Sequence, residues 1–133
     1  MEETTSSAAR ESGVEFAGGP DVTSVLDGDT ARLAVHGELT EVARRPLVRE
    51  MTDLLLAVPT LRRVELELSA VGFMNSGGMA VLVQLQRLGQ PRDVAVVLVD
   101  PPAAVVRPLQ LSGLWHRFPI ETTDDPAEEN LGG

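Results

Sequence analysis

The stretch from Val64 to Leu82 changes period partway along, and that change limits what the chain can fold into. Val64, Leu66 and Leu68 alternate with Glu65 and Glu67, the two-residue period of a strand with one buried face. From Met79 onward, Met79, Leu82, Leu85 and Leu88 recur at helical spacing. A strand must therefore pass into a helix through a short loop around Phe73 and Met74. Ser76 stands at that junction, in the position of a helix N-cap, where a hydroxyl accepts a hydrogen bond from a free N–H of the first turn. Gly77 and Gly78 follow without side chains, so the approach to Ser76 is open. A hydroxyl at the positive end of a helix dipole is a favourable place for an added phosphate.

The rest of the chain continues the alternation of strand and helix. Asp21–Leu26 and Thr30–His36 predict a hairpin turning at Asp27-Gly28, with Leu33 and Val35 on one face and Gly37 ending the second strand. Thr40 is placed to cap a helix whose apolar stripe is Leu47, Met51, Leu54, Leu55 and Val58. Pro46 lacks a donor and crowds the preceding turn, which predicts a start near Arg45 or a local distortion; Pro59 ends the helix. Gly89-Gln90-Pro91 breaks the second helix. Val94–Val99 is a continuous apolar run, as in a strand covered on both faces. Asp100-Pro101-Pro102 opens a third helix, Ala103 to Leu111, with Val105, Val106 and Leu109 inward, Pro108 shortening or bending it and Gly113 as its stop. Leu114, Trp115, Phe118 and Ile120 form a last apolar segment containing a short strand. This order predicts one α/β domain at residues 21–120, with a mixed sheet of four to five strands and three or more helices. Residues 1–20 are expected to be a flexible segment, with Val14-Glu15-Phe16 a candidate edge strand, and residues 121–133 an acidic disordered tail.

Charge narrows the partners. The formal net charge is −9, but residues 21–120 carry eleven acids against ten arginines, so the excess sits in the two ends. No basic stripe is left over for nucleic acid. The absence of cysteine removes disulfides, thiolate metal sites and cysteine nucleophiles. No apolar run approaches the roughly 18 residues of a membrane span, and Met1–Arg10 has no secretory pattern, so a cytoplasmic protein without membrane insertion is expected.

Catalytic readings find little support. Asn75-Ser76-Gly77-Gly78 has Met74 where a nucleophile elbow needs glycine, and no phosphate-loop or dinucleotide fingerprint is present. His36 and His116 have no predicted partner that would make either a base, nor a third donor for a metal. Glu65 and Glu67 share a strand face, a solvated one or one meeting Arg62 and Arg63. Trp115 reads as a lid on the core, and Met74 as an exposed apolar contact beside Ser76.

At four places the chain resembles the STAS domain family, which includes bacterial anti-sigma-factor antagonists and the tails of sulfate transporters. His36-Gly37-Glu38-Leu39 is similar to the family's Gly-Glu-Leu, and Val64–Met79 to its Leu-Ser-x-Val-x-Phe-Met-Asp-Ser-Ser-Gly-Leu loop. Val97–Val105 resembles the fourth strand with its helix start, and Leu111-Ser112-Gly113-Leu114 a motif before Phe118. The resemblance implies a non-enzymatic antagonist without cofactor. Its partner is an anti-sigma factor that is also a serine kinase, and a phosphatase resets the switch. By position Ser76 matches the phospho-acceptor. The implied partner-binding residues are Met74, Asn75, Ser76, Gly77 and Gly78 in the loop, with Gln84 and Arg87 on the helix. Asn75, Gly77 and Thr40 depart from the family's Asp, Ser/Thr and Asp. These departures leave open a STAS interaction or scaffold module that is never phosphorylated, and a transporter-associated module.

Overall fold

A computed structural model describes residues 19–123. The candidate strand at Val14–Phe16, most of the segment 1–20 and all but the first residues of the tail 121–133 lie outside them.

The predicted hairpin is present. Strand β1 (Asp21–Asp27) pairs antiparallel with β2 (Thr30–Leu39), and Gly28, at φ +66°, supplies the positive φ of the turn. β2 does not end at Gly37. Gly37 adopts φ +126°, the register shifts between Gly37 and Glu38, and the strand runs on to Leu39 with a new partner. Its first half pairs parallel with β3 (Arg63–Glu67), its last residues parallel with β4 (Val71–Met74). The interval after β3 thus contains a short strand of its own. β5 (Ala95–Val99) pairs parallel with β3, and the two-residue β6 (Ile120–Glu121) with β5. Among the described residues the sheet has six strands, in the order β1-β2-β3-β5-β6, with β4 beside the end of β2. β6 falls in the last apolar segment, where a short strand is expected, and β4, which periodicity does not mark, takes the sheet beyond four to five strands.

Helix α1 (Arg44–Ala57) follows a 3-10 turn, Glu41–Ala43, and Thr40 caps that turn by accepting from Val42 N–H at 3.2 Å. Pro46 is the third residue of α1, where an amide has no intrahelical partner to lose. Helix α2 (Ser76–Gly89) ends in a second 3-10 turn, Gln90–Arg92. Helix α3 (Ala103–Ser112) stops at Gly113, φ +81°, and a third 3-10 turn (Leu114–Arg117) leads to β6.

The strand register stacks Leu33, Leu66 and Leu98 side by side across three strands. With Ala31, Val64 and Val96 they make one apolar face, which Leu47 and Met51 of α1, Val81, Leu82 and Leu85 of α2, and Val105 and Leu109 of α3 join in a single core. Each of these larger side chains contributes about 1.5–3 kcal/mol on burial. Trp115 packs half-buried against that core, as a lid does. The other face carries charge on β2 and β3. Arg32 pairs with Glu65 at 2.9 Å and Glu67 at 3.6 Å, while Arg63 pairs with Glu65 at 2.9 Å and with Glu121. Glu65 therefore meets Arg63 as expected, but its second partner is Arg32 from the neighbouring strand, not Arg62.

Candidate functional site

The site forms where β2 and β4 end together and α2 begins. Leu39 and Met74 are register partners, and Asn75 N–H donates to the Leu39 carbonyl at 3.2 Å. Asn75 is extended (φ −115°, ψ −174°) and is the N-cap of α2. Its Oδ1 accepts from Gly78 N–H at 3.0 Å, and its carbonyl accepts from Met79 N–H at 3.0 Å. The cap expected at Ser76 is thus one residue earlier. An Asn is as good an N-cap as a Ser, and the strand pairing that holds Leu39 against Met74 fixes which residue is the last extended one. Ser76 becomes the first helical residue and is exposed.

The two glycines differ in what they permit. A Cβ on Gly78 would run into the Leu39 carbonyl, so this buried glycine lets α2 dock on the end of β2. A Cβ on Gly77 would lie 2.8 Å from Glu41 Oε1 and 2.9 Å from Glu41 N. Gly77, which stands in place of a Ser/Thr, therefore leaves room for Glu41, the residue after the Thr40 that stands in place of an Asp. A side chain at position 77 would displace the 3-10 turn.

Met74 is buried, at 4% exposure, and Phe73 is exposed, at 47%. This reverses the expectation that Met74 is the accessible contact. The cause is the bulge: between Gly37–Glu38 on β2, β4 advances from Val71 to Phe73, leaving Gly72 as the extra residue. One inserted residue moves every side chain after it to the other face. Val71 and Met74 point into the core, and Phe73 points out.

Along α2, Ser76, Ala80 and Arg87 are exposed and lie within about 40° of one another around the helix. Gln84 is half-buried at the margin of that stripe. Arg87 is about 16 Å from Ser76 at 1.5 Å per residue, so it joins the same surface without touching the loop. The surface also includes Glu41 and Val42, the latter 44% exposed. Sequence reasoning passed over both. Their only signal was position, one and two residues after the Thr40 that departs from the family's pattern.

The first turn of α2 holds no acidic residue, so no carboxylate of the helix itself offsets the positive end of its dipole beside Ser76. Among the described residues there is no group of three His, Cys, Asp or Glu able to hold a metal, and His36 and His116 are both exposed. No described helix is long and apolar enough to cross a membrane. An open cleft of about 590 Å³ lies elsewhere, lined by Ser69, Asp100, Val106, Trp115 and Ile120 among others. At its edge Asp100 accepts from the Thr123 hydroxyl at 2.5 Å and from Thr123 N–H at 2.9 Å, which hold its carboxyl below the usual range.

Comparison with known proteins matches residues 22–120 to a family model described as "Mlab, STAS domain". No curated protein matches the chain. Among solved structures, TM1081 of Thermotoga maritima is 22% identical, with TM-score 0.68 over 84% of this chain and 95% of that one. An anti-sigma factor antagonist from Mycobacterium paratuberculosis is 24% identical, with TM-score 0.62 over 86% and 95%. The anti-sigma factor antagonist SpoIIAA in its unphosphorylated form is 18% identical, with TM-score 0.64 over 86% and 96%. A Bacillus SpoIIAA in the phosphorylated form is 16% identical, with TM-score 0.60 over 84% and 98%. At such identities the likeness speaks for the fold.

Proposed function

The chain belongs to the STAS domain family, and from that premise we propose that it is an anti-sigma-factor antagonist, a binding protein and not an enzyme, switched by phosphorylation at Ser76. The observation that carries this reading is the exposed Ser76 hydroxyl at the first position of α2, relieved of capping by Asn75 and flanked by Gly77. Unmodified, the surface of Phe73, Asn75, Ser76, Gly77, Val42 and Arg87 docks on an anti-sigma factor, which releases its sigma factor to transcribe. That anti-sigma factor is also a serine kinase. The Ser76 oxygen bonds to the γ-phosphorus of ATP, the bond to ADP breaks, and the hydroxyl proton leaves to a base of the kinase. The product carries about −1.5 to −2 charges in the middle of the docking surface. The helix N-terminus accommodates that charge within the antagonist, whereas a packed interface does not. A phosphatase restores the binding form. That SpoIIAA is known in unphosphorylated and phosphorylated forms supports this reading by fold likeness.

The test uses the full-length chain with the kinase-type anti-sigma factors encoded in its own genome. Incubation with ATP is expected to add one phosphoryl group by intact mass, none to Ser76→Ala, and to abolish the complex. Retained modification of Ser76→Ala would overturn the acceptor assignment. Equal binding of Ser76→Ala and Ser76→Glu to the same partner would favour an interaction module without a phospho-switch.

A further inference from the structure

Glu41 opens the turn between β2 and α1 and is exposed, yet it is packed against the residue that follows Ser76. A Cβ on Gly77 would lie 2.8 Å from its Oε1, 2.9 Å from its N and 3.1 Å from its Cβ. Side chain and backbone of Glu41 therefore lie over the first turn of α2, in space that Gly77 leaves empty. The two sides of this contact are not equally firm. The α2 side is tied to β2 by Asn75 and by the close approach of Gly78 to Leu39. The turn Glu41–Ala43 is a single 3-10 turn whose last residue, Ala43, is buried in the core, while Glu41 and Val42 are exposed; it is fastened by the Thr40 hydroxyl to Val42 N–H at 3.2 Å and by Ala43 N–H to the Thr40 carbonyl at 3.0 Å. It presents Val42 at the surface and leads directly into α1.

We infer that Glu41 is the residue through which the protein itself responds to a phosphate on Ser76, by repulsion that moves the turn Glu41–Ala43. This rests on Ser76 being the modified residue. A dianion added one residue from a contact made by a carboxylate raises the energy of that contact. Relief comes from the softer side, the 3-10 turn, so modification also rearranges the surface around Val42. The other charged groups on the chain segments meeting here are Glu38 at the end of β2 and Arg44 and Arg45 at the start of α1, all exposed. The arginines set the competing outcome, in which the phosphate pairs with them and tightens the turn.

The experiment installs phosphoserine at position 76 of the full-length chain by genetic-code expansion, so no kinase is needed. Amide spectra and thermal midpoints are compared with and without the phosphate in wild type, Glu41→Gln and Glu38→Gln. The phosphate is expected to shift the amides of Glu41, Val42 and Ala43 and to change the midpoint about 2–4 °C less favourably in wild type than in Glu41→Gln, the helix-dipole term being common to both. Glu41→Gln should also remove most of the amide shifts, and Glu38→Gln should behave as wild type. Shifts confined to Asn75–Met79, the same phosphate-induced midpoint change in wild type and Glu41→Gln, or equal loss of the effect in the two Gln variants would each overturn the inference. Failure of any kinase to modify Ser76 would count against the proposed function alone, because this comparison carries its phosphate already.

Discussion

Asn75 anchors the first turn of α2 and leaves the neighbouring hydroxyl free, and the two residues should separate cleanly under substitution. Asn75→Ala removes the bond to Gly78 N–H and is expected to cost about 1 kcal/mol, within the 0.5–2 kcal/mol range of lost caps. Asn75→Asp keeps an acceptor and should stay near wild type. Ser76→Ala should fall within about 0.5 kcal/mol of wild type, as for an exposed side chain with no hydrogen bond among the described residues. Urea denaturation decides: a Ser76→Ala loss as large as that of Asn75→Ala would return the cap to Ser76. Gly78 is the stricter position. Its neighbour is backbone, the Leu39 carbonyl, which cannot swing aside as a side chain does. Gly78→Ala is expected to cost about 1–3 kcal/mol or more, the range of overpacking.

Elements in this fold are held by groups that other elements lend them. The last turn of α1 leaves free carbonyls, and Arg92, from the turn after α2, donates to that of Leu55 and, just beyond the helix, to those of Val58 at 3.0 Å and Pro59 at 3.1 Å. Arg92→Ala should raise amide hydrogen exchange at the C-terminal end of α1 and leave its first turn unchanged. On the sheet, β2, β3 and β6 are linked by Arg32, Arg63 and the carboxylates between them. Burial alone would push the Glu65 carboxyl up, but hydrogen bonds from Arg32 and Arg63 outweigh it and leave the group below its ordinary value. A depressed carboxyl contributes stability above its unfolded-state pKa, and loses it as pH falls through the folded one. Wild type should therefore lose stability on acidification below about pH 4.3 more steeply than Glu65→Gln, with Glu65→Gln the less stable of the two at neutral pH. Parallel curves from denaturant titrations at each pH would remove the ladder from the account. Arg32 is 42% exposed, and exposed pairs contribute only about 0–1 kcal/mol, so the effect is modest.

At the scale of the whole fold, the three α-helices of the described residues and one apolar sheet face share a single core, and the central residue of that face is Leu66, flanked by Leu33 and Leu98. Leu66→Ala should cost about 2–5 kcal/mol and lower the midpoint of the whole transition, without a separate phase. A variant that melted in two steps would mean that the helices and the sheet do not form one cooperative unit. The site profits from this arrangement. Parallel strands deliver β2 and β4 to the same edge, and the helices that follow them both start there. Gly77 and Glu41, 36 positions apart in the chain, meet across that edge only because of it.

Local pattern determined a good deal. Alternation in Val64–Leu68, the apolar run Val94–Val99, the turn at Asp27-Gly28 and the helical stripe of α2 are each set by residues within a few positions of one another, where solvent preference alone decides the outcome. These features fix an α/β chain, and Gly77 with Ser76 marks the place to look. What lay beyond pattern was decided between elements. Whether Asn75 or Ser76 ends the extended chain depends on where β4 pairs with β2. Whether Phe73 or Met74 meets solvent depends on one bulged residue opposite Gly37. That Gly77 makes room for Glu41 depends on two loops meeting at a sheet edge. Periodicity records which side of its own segment a residue prefers; it holds no record of register, and register sets which atoms surround the hydroxyl of Ser76.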